Sequence, residues 1–170
     1  MRKWLFRGLF LLVLVNSVLW QAATVIADYQ QQLRVFIKDE GFHESNIVKP
    51  RIYVKNLGRH TISGFDLHYY FTVERGKTPV VEPYYLPNGR IFLRKQGGRE
   101  YLVQLRFRNI RIRPGEIFPD RNGCIFGIHY SDWSQFIKTN DYSNPASPHW
   151  RPTRRITVAN TKRFPDRHKN

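Results

Sequence analysis

Apolar residues recur at every second position in short segments of this chain, and this period constrains the fold more than any other feature. The longest run is residues 65–73 (FDLHYYFTV), and shorter runs begin at Leu33, Ile52, Tyr101 and Cys124. Because successive side chains of a β-strand point to opposite faces, each run is typical of a strand that buries one face. Beyond residue 27 no segment sustains a helical apolar stripe for three turns, so the sequence predicts an all-β domain.

Turn signals that contain glycine separate these runs, among them Arg75-Gly76, Pro114-Gly115 and Asn122-Gly123. About eight short strands at this spacing predict a two-sheet antiparallel sandwich. The 15% aromatic content excludes a disordered polyelectrolyte. The lone Cys124 excludes an intramolecular disulfide framework and a zinc site built from several cysteines, and its inward phase predicts a buried, unreactive thiol.

Residues 1–27 have the order of a secretory signal peptide, with basic residues first, then an apolar run from Leu9, and small residues up to Ala27. The apolar stretch is interrupted by polar residues and is shorter than the roughly 20 residues of a spanning helix. We therefore expect export, a secreted or cell-envelope location, a folded module over 28–164 and a flexible basic tail over 165–170. An uncleaved anchor is the alternative, and membrane association is expected only in that case.

The sequence contains no recognisable catalytic motif. The six histidines have no zinc-motif spacing, and the chain has neither a Gly-x-Ser-x-Gly nucleophile elbow nor a glycine-rich phosphate loop. Nothing in the pattern of the acidic residues pairs a general acid with a general base. We therefore expect a protein that is not an enzyme.

Positive charge dominates the chain, with 28 Lys and Arg against 13 Asp and Glu and a formal net charge of +15. Such a field attracts polyanions. No nucleic-acid-binding motif is present and an exported protein rarely meets nucleic acid, so we expect no nucleic-acid partner. A functional basic face would instead hold the domain near an acidic polymer of the cell envelope. The other interpretation is a solvated cationic surface without a partner.

Oxygen-bearing side chains in and near residues 131–143 suggest a site for a hard cation. Asn140 and Asp141 are adjacent in an irregular loop, and Thr72 and Glu74 lie two residues apart on one side of a predicted strand. If the loop folds back on the strand, these oxygens converge, and such ligands suit calcium. An Asn-Asp pair is also common in simple turns, so the residue pattern leaves both interpretations open.

Three stretches resemble the family 3 carbohydrate-binding modules, the cellulose-binding domains of secreted cellulases and cellulosomal scaffolding proteins. They are residues 47–58 (IVKPRIYVKNLG), residues 65–74 (FDLHYYFTVE), and SDWS at 131–134 followed by TNDYS at 139–143. The resemblance implies a noncatalytic module, a jelly-roll sandwich of about nine strands and one structural calcium. The calcium ligands that it implies are Thr72, Glu74, the backbone of Ile137, Asn140 and Asp141.

The resemblance also implies a flat binding strip of aromatic and polar residues on one sheet face. Pyranose rings present an apolar face of C–H groups, so coplanar aromatic rings can stack on successive sugars. Trp133 stands at a strip position, and Tyr84 and Tyr85 are the natural candidates for the other rings. A basic strip residue of the family falls on Gly127 in this chain.

A second surface implied by the resemblance is a shallow groove on the opposite sheet, where Tyr70 and Tyr142 are the candidate carbohydrate-binding residues. Two hypotheses for the function follow. The first is binding of cellulose or a related β-glucan through the aromatic strip, with a structural calcium. The alternative is a cell-envelope adaptor that binds a protein or an acidic polymer through its basic surface. Salt distinguishes them, because counterions screen surface charge but not ring stacking.

Overall fold

The computed structural model describes residues 32–159 and consists of β-strands joined by turns and loops. A single turn of 3-10 helix, Lys138–Asn140, lies in the longest loop. Eleven strands occur in this part of the chain. They are β1 (Leu33–Asp39), β2 (Ile47–Val48), β3 (Pro50–Asn56), β4 (Ile62–Thr72), β5 (Pro79–Tyr85), β6 (Gly89–Gly97), β7 (Glu100–Ile112), β8 (Ile117–Phe118), β9 (Cys124–Tyr130), β10 (Arg151–Thr153) and β11 (Thr157–Ala159).

The strands form two sheets. The seven-stranded sheet has the order β10-β1-β3-β9-β2, with β5 also pairing with β9 and β8 pairing with β3. The four-stranded sheet has the order β11-β4-β7-β6. Every pairing is antiparallel. The two sheets form the all-β antiparallel jelly-roll sandwich that the sequence predicts.

The core lies between the inner faces of the two sheets and follows the period-two alternation. In β4 the inward residues Phe65, Leu67, Tyr69 and Phe71 are buried, while the outward His68 and its neighbours Tyr70 and Thr72 are half-buried. The four-stranded sheet adds alternate residues of β7, and the seven-stranded sheet adds alternate residues of β1, β3 and β9 to the same continuous cluster. One face of each sheet is thereby committed to the core, and the other remains available for binding.

Some details differ from the prediction. The run that begins at Tyr101 continues to Ile112 in one strand, β7, in which a shift of register opposite Gly64 moves the buried phase. The sequence did not indicate β5 as a strand, because Pro79 and Pro83 interrupt its alternation and proline cannot donate to a ladder. With the short strands β2, β8 and β10, the described chain has eleven strands rather than about nine.

Cys124 is buried at the start of β9, and its thiol donates to the backbone oxygen of Ile52 at 3.2 Å. Burial raises the pKa of this thiol to about 12, so it stays protonated at neutral pH. The expectation of an unreactive cysteine agrees with this geometry.

The proposed signal peptide over 1–27 and the tail over 165–170 lie outside the described residues, as do both ends of the module expected over 28–164. Within residues 32–159, no helix has the length and apolar character that crossing a bilayer requires.

Gly123 provides a test of the packing at the start of β9. Its φ is +72°, and a Cβ there would lie 2.7 Å from the backbone oxygen of Ile52. We expect Gly123→Ala to lower the free energy of unfolding by about 2 kcal/mol or more, measured by urea denaturation. Gly115 is the matched control, because its φ is +83° but a Cβ at this position would have no atom within 4 Å. Gly115→Ala should lower the free energy of unfolding by only about 1 kcal/mol, which is the cost of backbone strain alone. Equal losses of stability in the two variants would contradict this packing.

Candidate functional site

The pairing of β5 with β9 builds a row of side chains on the outer face of the seven-stranded sheet. Val80 lies opposite His129, and Glu82 lies opposite Gly127. Paired residues of antiparallel strands point to the same face. Because Phe126 and Ile128 point into the core, His129, Gly127 and their β5 partners face outward.

Trp133 lies flat on His129 at one end of this row. The two ring centroids are 3.7 Å apart with an interplanar angle of 11°. The stack leaves His129 only 3% exposed, whereas Trp133 keeps 49% of its surface exposed. The imidazole therefore supports the indole from beneath and leaves part of the indole open to solvent.

The turn that carries Trp133 holds it in an unusual backbone conformation. Its φ is +54°, a left-handed region that a bulky residue rarely adopts. Its N–H donates to the oxygen of Tyr130 at 2.9 Å. Asp132 Oδ1 accepts from the Ser134 N–H at 3.2 Å and the Ser134 hydroxyl at 2.7 Å. A bond from Lys77 Nζ at 2.7 Å holds the pKa of Asp132 well below its usual range, so this carboxylate stays ionised and keeps the turn fixed.

Tyr84 lies over Gly127 at the next place in the row. A Cβ added to Gly127 would lie 2.7 Å from the Tyr84 hydroxyl oxygen, so the absence of a side chain makes room for the ring. The Tyr84 hydroxyl donates to Glu82 Oε2 at 3.2 Å, and Glu82 Oε1 lies 3.6 Å from His129 Nε2. Burial and the bond to Glu82 raise the pKa of Tyr84, so the phenol stays protonated.

A β-bulge aims the neighbouring tyrosine at the same face. The register shifts between Pro83 and Tyr85, so Tyr84 has no partner of its own and Tyr85 pairs with the outward Ile125. Tyr84 is 48% exposed and Tyr85 is 44% exposed. Here "the strip" means Trp133, His129, Glu82, Tyr84 and Tyr85.

His129 and Glu82 are members of the strip that the sequence did not predict. The scattered spacing of the histidines indicates ordinary strand residues, although the outward phase of His129 in β9 and its distance of four residues from Trp133 are visible in the sequence. Glu82 could not be assigned to this face, because β5 was not recognisable as a strand.

The other two aromatic candidates lie on the outer side of the four-stranded sheet. Tyr70 projects from β4 and is half-buried, and Tyr142 is 59% exposed in the loop beside it. Ser143 joins them, because its hydroxyl accepts from the Tyr70 N–H at 2.9 Å and its own N–H donates to the Tyr70 oxygen at 3.2 Å. The structure therefore brings Tyr70 close to the Tyr142 segment and separates both from the strip.

Four of the five candidate metal ligands are close to one another. The Thr72 N–H donates to Asp141 Oδ1 at 3.3 Å, and Asn140 Nδ2 donates to Glu74 Oε1 at 3.3 Å. Ile137 is the residue before the 3-10 helix that carries Asn140. The loop does fold back on the end of β4, as the convergence of these ligands requires.

The oxygens of this cluster fit a hard cation. Asp141 Oδ2 and Glu74 Oε2 are both buried and have no hydrogen-bond partner among the described residues. Unpaired buried carboxylate oxygens are costly unless a cation satisfies them. Burial raises the pKa of the Asp141 carboxyl to about 8. The hydrogen bond from the Thr72 N–H lowers this pKa, whereas the negative charges of Glu74 and Asp39 raise it. Within residues 32–159, no three His, Cys, Asp or Glu side chains converge, so neutral oxygens would have to complete the shell.

Residues 35–163 match the sequence model of a protein family described as "Cellulose binding domain". This match covers most of the chain and most of the sandwich described above. The chain belongs to the family 3 carbohydrate-binding modules. Modules of this family bind carbohydrate and are noncatalytic, which agrees with the expectation drawn from the missing catalytic motifs.

Solved structures of the same family share the fold of this module. The family 3b module of the cellulosomal cellobiohydrolase 9A from Clostridium thermocellum is 26% identical, with a TM-score of 0.62 over 76% of this chain and 92% of that chain. The family 3b module of the scaffoldin ScaA from Acetivibrio cellulolyticus is 20% identical, with a TM-score of 0.63 over 78% of this chain and 94% of that chain. A biomass-sensing module of RsgI-like proteins from Clostridium thermocellum is 21% identical, with a TM-score of 0.61 over 75% and 91% of the two chains.

Proposed function

We propose that this module is exported and binds cellulose or a related β-glucan through the strip. The observation that carries the proposal is the support beneath the two rings. Trp133 rests on His129 at 3.7 Å, and Tyr84 rests over Gly127 with its hydroxyl bonded to Glu82. Rings fixed in this way lose little conformational freedom when a ligand stacks on them.

The strip combines the two kinds of contact that a β-glucan needs. The exposed parts of Trp133, Tyr84 and Tyr85 offer apolar surface to the C–H faces of successive sugars. The carboxylate of Glu82, half-buried between the rings, can accept from sugar hydroxyls and set the register of the chain. The names of the similar modules, from a cellulosomal cellobiohydrolase and a scaffoldin, support cellulose as the first ligand to test.

Calcium has a structural role in the same proposal. Thr72, Glu74, Asn140, Asp141 and the backbone of Ile137 would hold the ion and tie the loop of residues 131–143 to the end of β4. The two buried carboxylate oxygens without partners support this role. The ion would stabilise the folded loop and would take no part in contacts with the glycan.

Gly127→Ala tests the strip without removing any ring. The new Cβ would displace the far end of the Tyr84 side chain, which can move at little cost to the fold. We expect binding to microcrystalline cellulose to weaken about tenfold, as for Trp133→Ala, with an unchanged melting temperature. The measurement is a depletion isotherm, repeated in about 0.5 M salt, where stacking persists and surface-charge binding is screened.

Leu57→Ala is the control, because Leu57 is an exposed apolar residue that follows β3, outside both the strip and the groove, and the variant should leave the isotherm unchanged. If the wild-type protein stays in the supernatant with cellulose, and a soluble mixed-linkage β-glucan does not retard it in affinity gel electrophoresis, the proposed ligand class is wrong. If Gly127→Ala binds cellulose as tightly as the wild-type protein does, the position of Tyr84 is irrelevant to binding.

Removal of calcium should lower the melting temperature of the wild-type protein. A ligand present at a hundred times its dissociation constant adds about 2.7 kcal/mol, which corresponds to a shift of about 5–10 °C for a chain of this size. Differential scanning fluorimetry with a chelator, then with added calcium, measures this shift. Asp141→Asn should abolish the response, and Asp132→Asn, an exposed carboxylate of the same loop, should preserve it. An identical melting temperature with chelator and with calcium would refute the calcium site.

A further inference from the structure

The outer side of the four-stranded sheet carries a concentration of arginines at its free edge. Strand β6 ends the sheet, since the order is β11-β4-β7-β6. Arg90, Phe92 and Arg94 alternate with the inward residues of β6 and face outward, opposite Arg106, Gln104 and Leu102 of β7 respectively. This outer face lies on a different sheet from most of the strip, and Tyr84 is the strip residue nearest to it.

Two like charges face each other directly in this arrangement. Arg90 of β6 pairs with Arg106 of β7, so two guanidinium side chains are neighbours on the outer face. Asp66 lies on the far side of Arg106 in the register of β4, with Oδ2 at 3.5 Å from Arg106 Nε. Asp66 is buried and also accepts from Gln104 Nε2 at 2.5 Å, so two residues of β7 share this carboxylate. Within residues 32–159, neither Arg90 nor Arg94 forms a salt bridge.

Phe92 and Gln104 hold the neighbouring guanidinium groups in fixed positions. The guanidinium carbons of Arg106 and Arg94 lie 5.2 Å and 5.8 Å from the centroid of the Phe92 ring. Arg94 Nε also donates to Gln104 Oε1 at 2.9 Å. Because its Nε is engaged, the terminal nitrogens of the exposed Arg94 remain for an anion. Side chains held in this way lose less entropy when they bind a carboxylate.

A cleft of about 480 Å³ runs beside this edge, between β6 and the end of β5. Among the described residues that line the cleft, Arg90 is the only charged one, and most of the others are apolar. The apolar lining comprises Pro83, Tyr84, Leu86, Ile91 and Phe92. An uronic sugar has the matching chemistry, because its ring has an apolar C–H face and its carboxylate is a bidentate acceptor for guanidinium.

We propose that the edge of β6 binds the uronate residues of an acidic polysaccharide, with Arg90 and Arg94 holding carboxylates and the neighbouring cleft receiving the sugar rings. The choice of a glycan among polyanions rests on the proposed carbohydrate-binding function. The site shares Tyr84 with the strip through the lining of the cleft, but it does not involve Trp133 or His129. A module with both surfaces would bind neutral glucan on one sheet and acidic glycan at the edge of the other.

The test compares binding to polygalacturonate and to a neutral soluble β-glucan by affinity gel electrophoresis at about 20 mM salt. In the double variant Arg90→Gln/Arg94→Gln, we expect binding to polygalacturonate to weaken about tenfold, because charge-assisted contacts are lost. Binding of the same variant to the neutral β-glucan should persist. The matched control is Arg34→Gln/Arg121→Gln, which removes the same charge from exposed residues outside the four-stranded sheet and should retain binding. Trp133→Ala should show the reverse selectivity, with loss of the neutral glucan alone.

Several results would overturn the proposal. One is a wild-type protein that polygalacturonate does not retard. Another is an equal loss in the two arginine double variants, which would show binding to net charge with no defined site. Retention by vesicles containing about 30% anionic phospholipid, without retention by polygalacturonate, would assign the edge to a membrane surface instead. Circular dichroism of each variant must match the wild-type spectrum, and Arg90→Lys/Arg94→Lys provides a charge-conserving pair if either glutamine variant fails to fold.

Discussion

The contact between Tyr84 and Gly127 is the constraint on which the candidate binding face depends. A residue with a side chain at position 127 would occupy the space where the Tyr84 ring now lies. The family resemblance implies a basic strip residue at this position, so its absence first suggests a weaker binding surface. The structure indicates an exchange instead, in which a ring from β5 covers the place that a β9 side chain would fill. Glu82 and His129 then connect this ring to Trp133 through polar and stacking contacts.

One loop links the strip to the cluster of candidate calcium ligands. Residues 131–143 begin with the turn that supports Trp133 and end with Asp141 and Ser143, which bond to the backbone of β4. Lys138 adds a third attachment, because its ammonium lies 3.3 Å from the buried Asp39 Oδ2 of β1. The loop is therefore anchored to both sheets. An ion bound near Asp141 would act on glycan binding only indirectly, by keeping this loop folded.

The residues that the sequence predicted well are those governed by local period. Alternation in residues 65–73 and in β9 gave the inward and outward faces, because one buried face fixes the register of a strand. The residue pattern left the clustering of Thr72, Glu74, Asn140 and Asp141 open, and the family resemblance favoured it, since residues so far apart in sequence have no local signal. The prediction failed at β5, where two prolines mask the pattern. Because β5 was not predicted, neither Glu82 nor the bulge before Tyr85 could be assigned. The role of His129 was missed for a different reason, because it depends on a contact with the turn that follows β9.

Nuclear magnetic resonance of the aromatic side chains during a titration with cellohexaose tests the central claim most directly. The Trp133 indole and the Tyr84 ring should shift together and saturate at the same ligand concentration, because both rings would contact one sugar chain. The Trp150 indole, packed edge-on against Tyr53 at 4.7 Å, should stay constant and serves as the internal reference. Shifts confined to Tyr70 and Tyr142, with Trp133 unchanged, would contradict the assignment of the strip as the glycan-binding face.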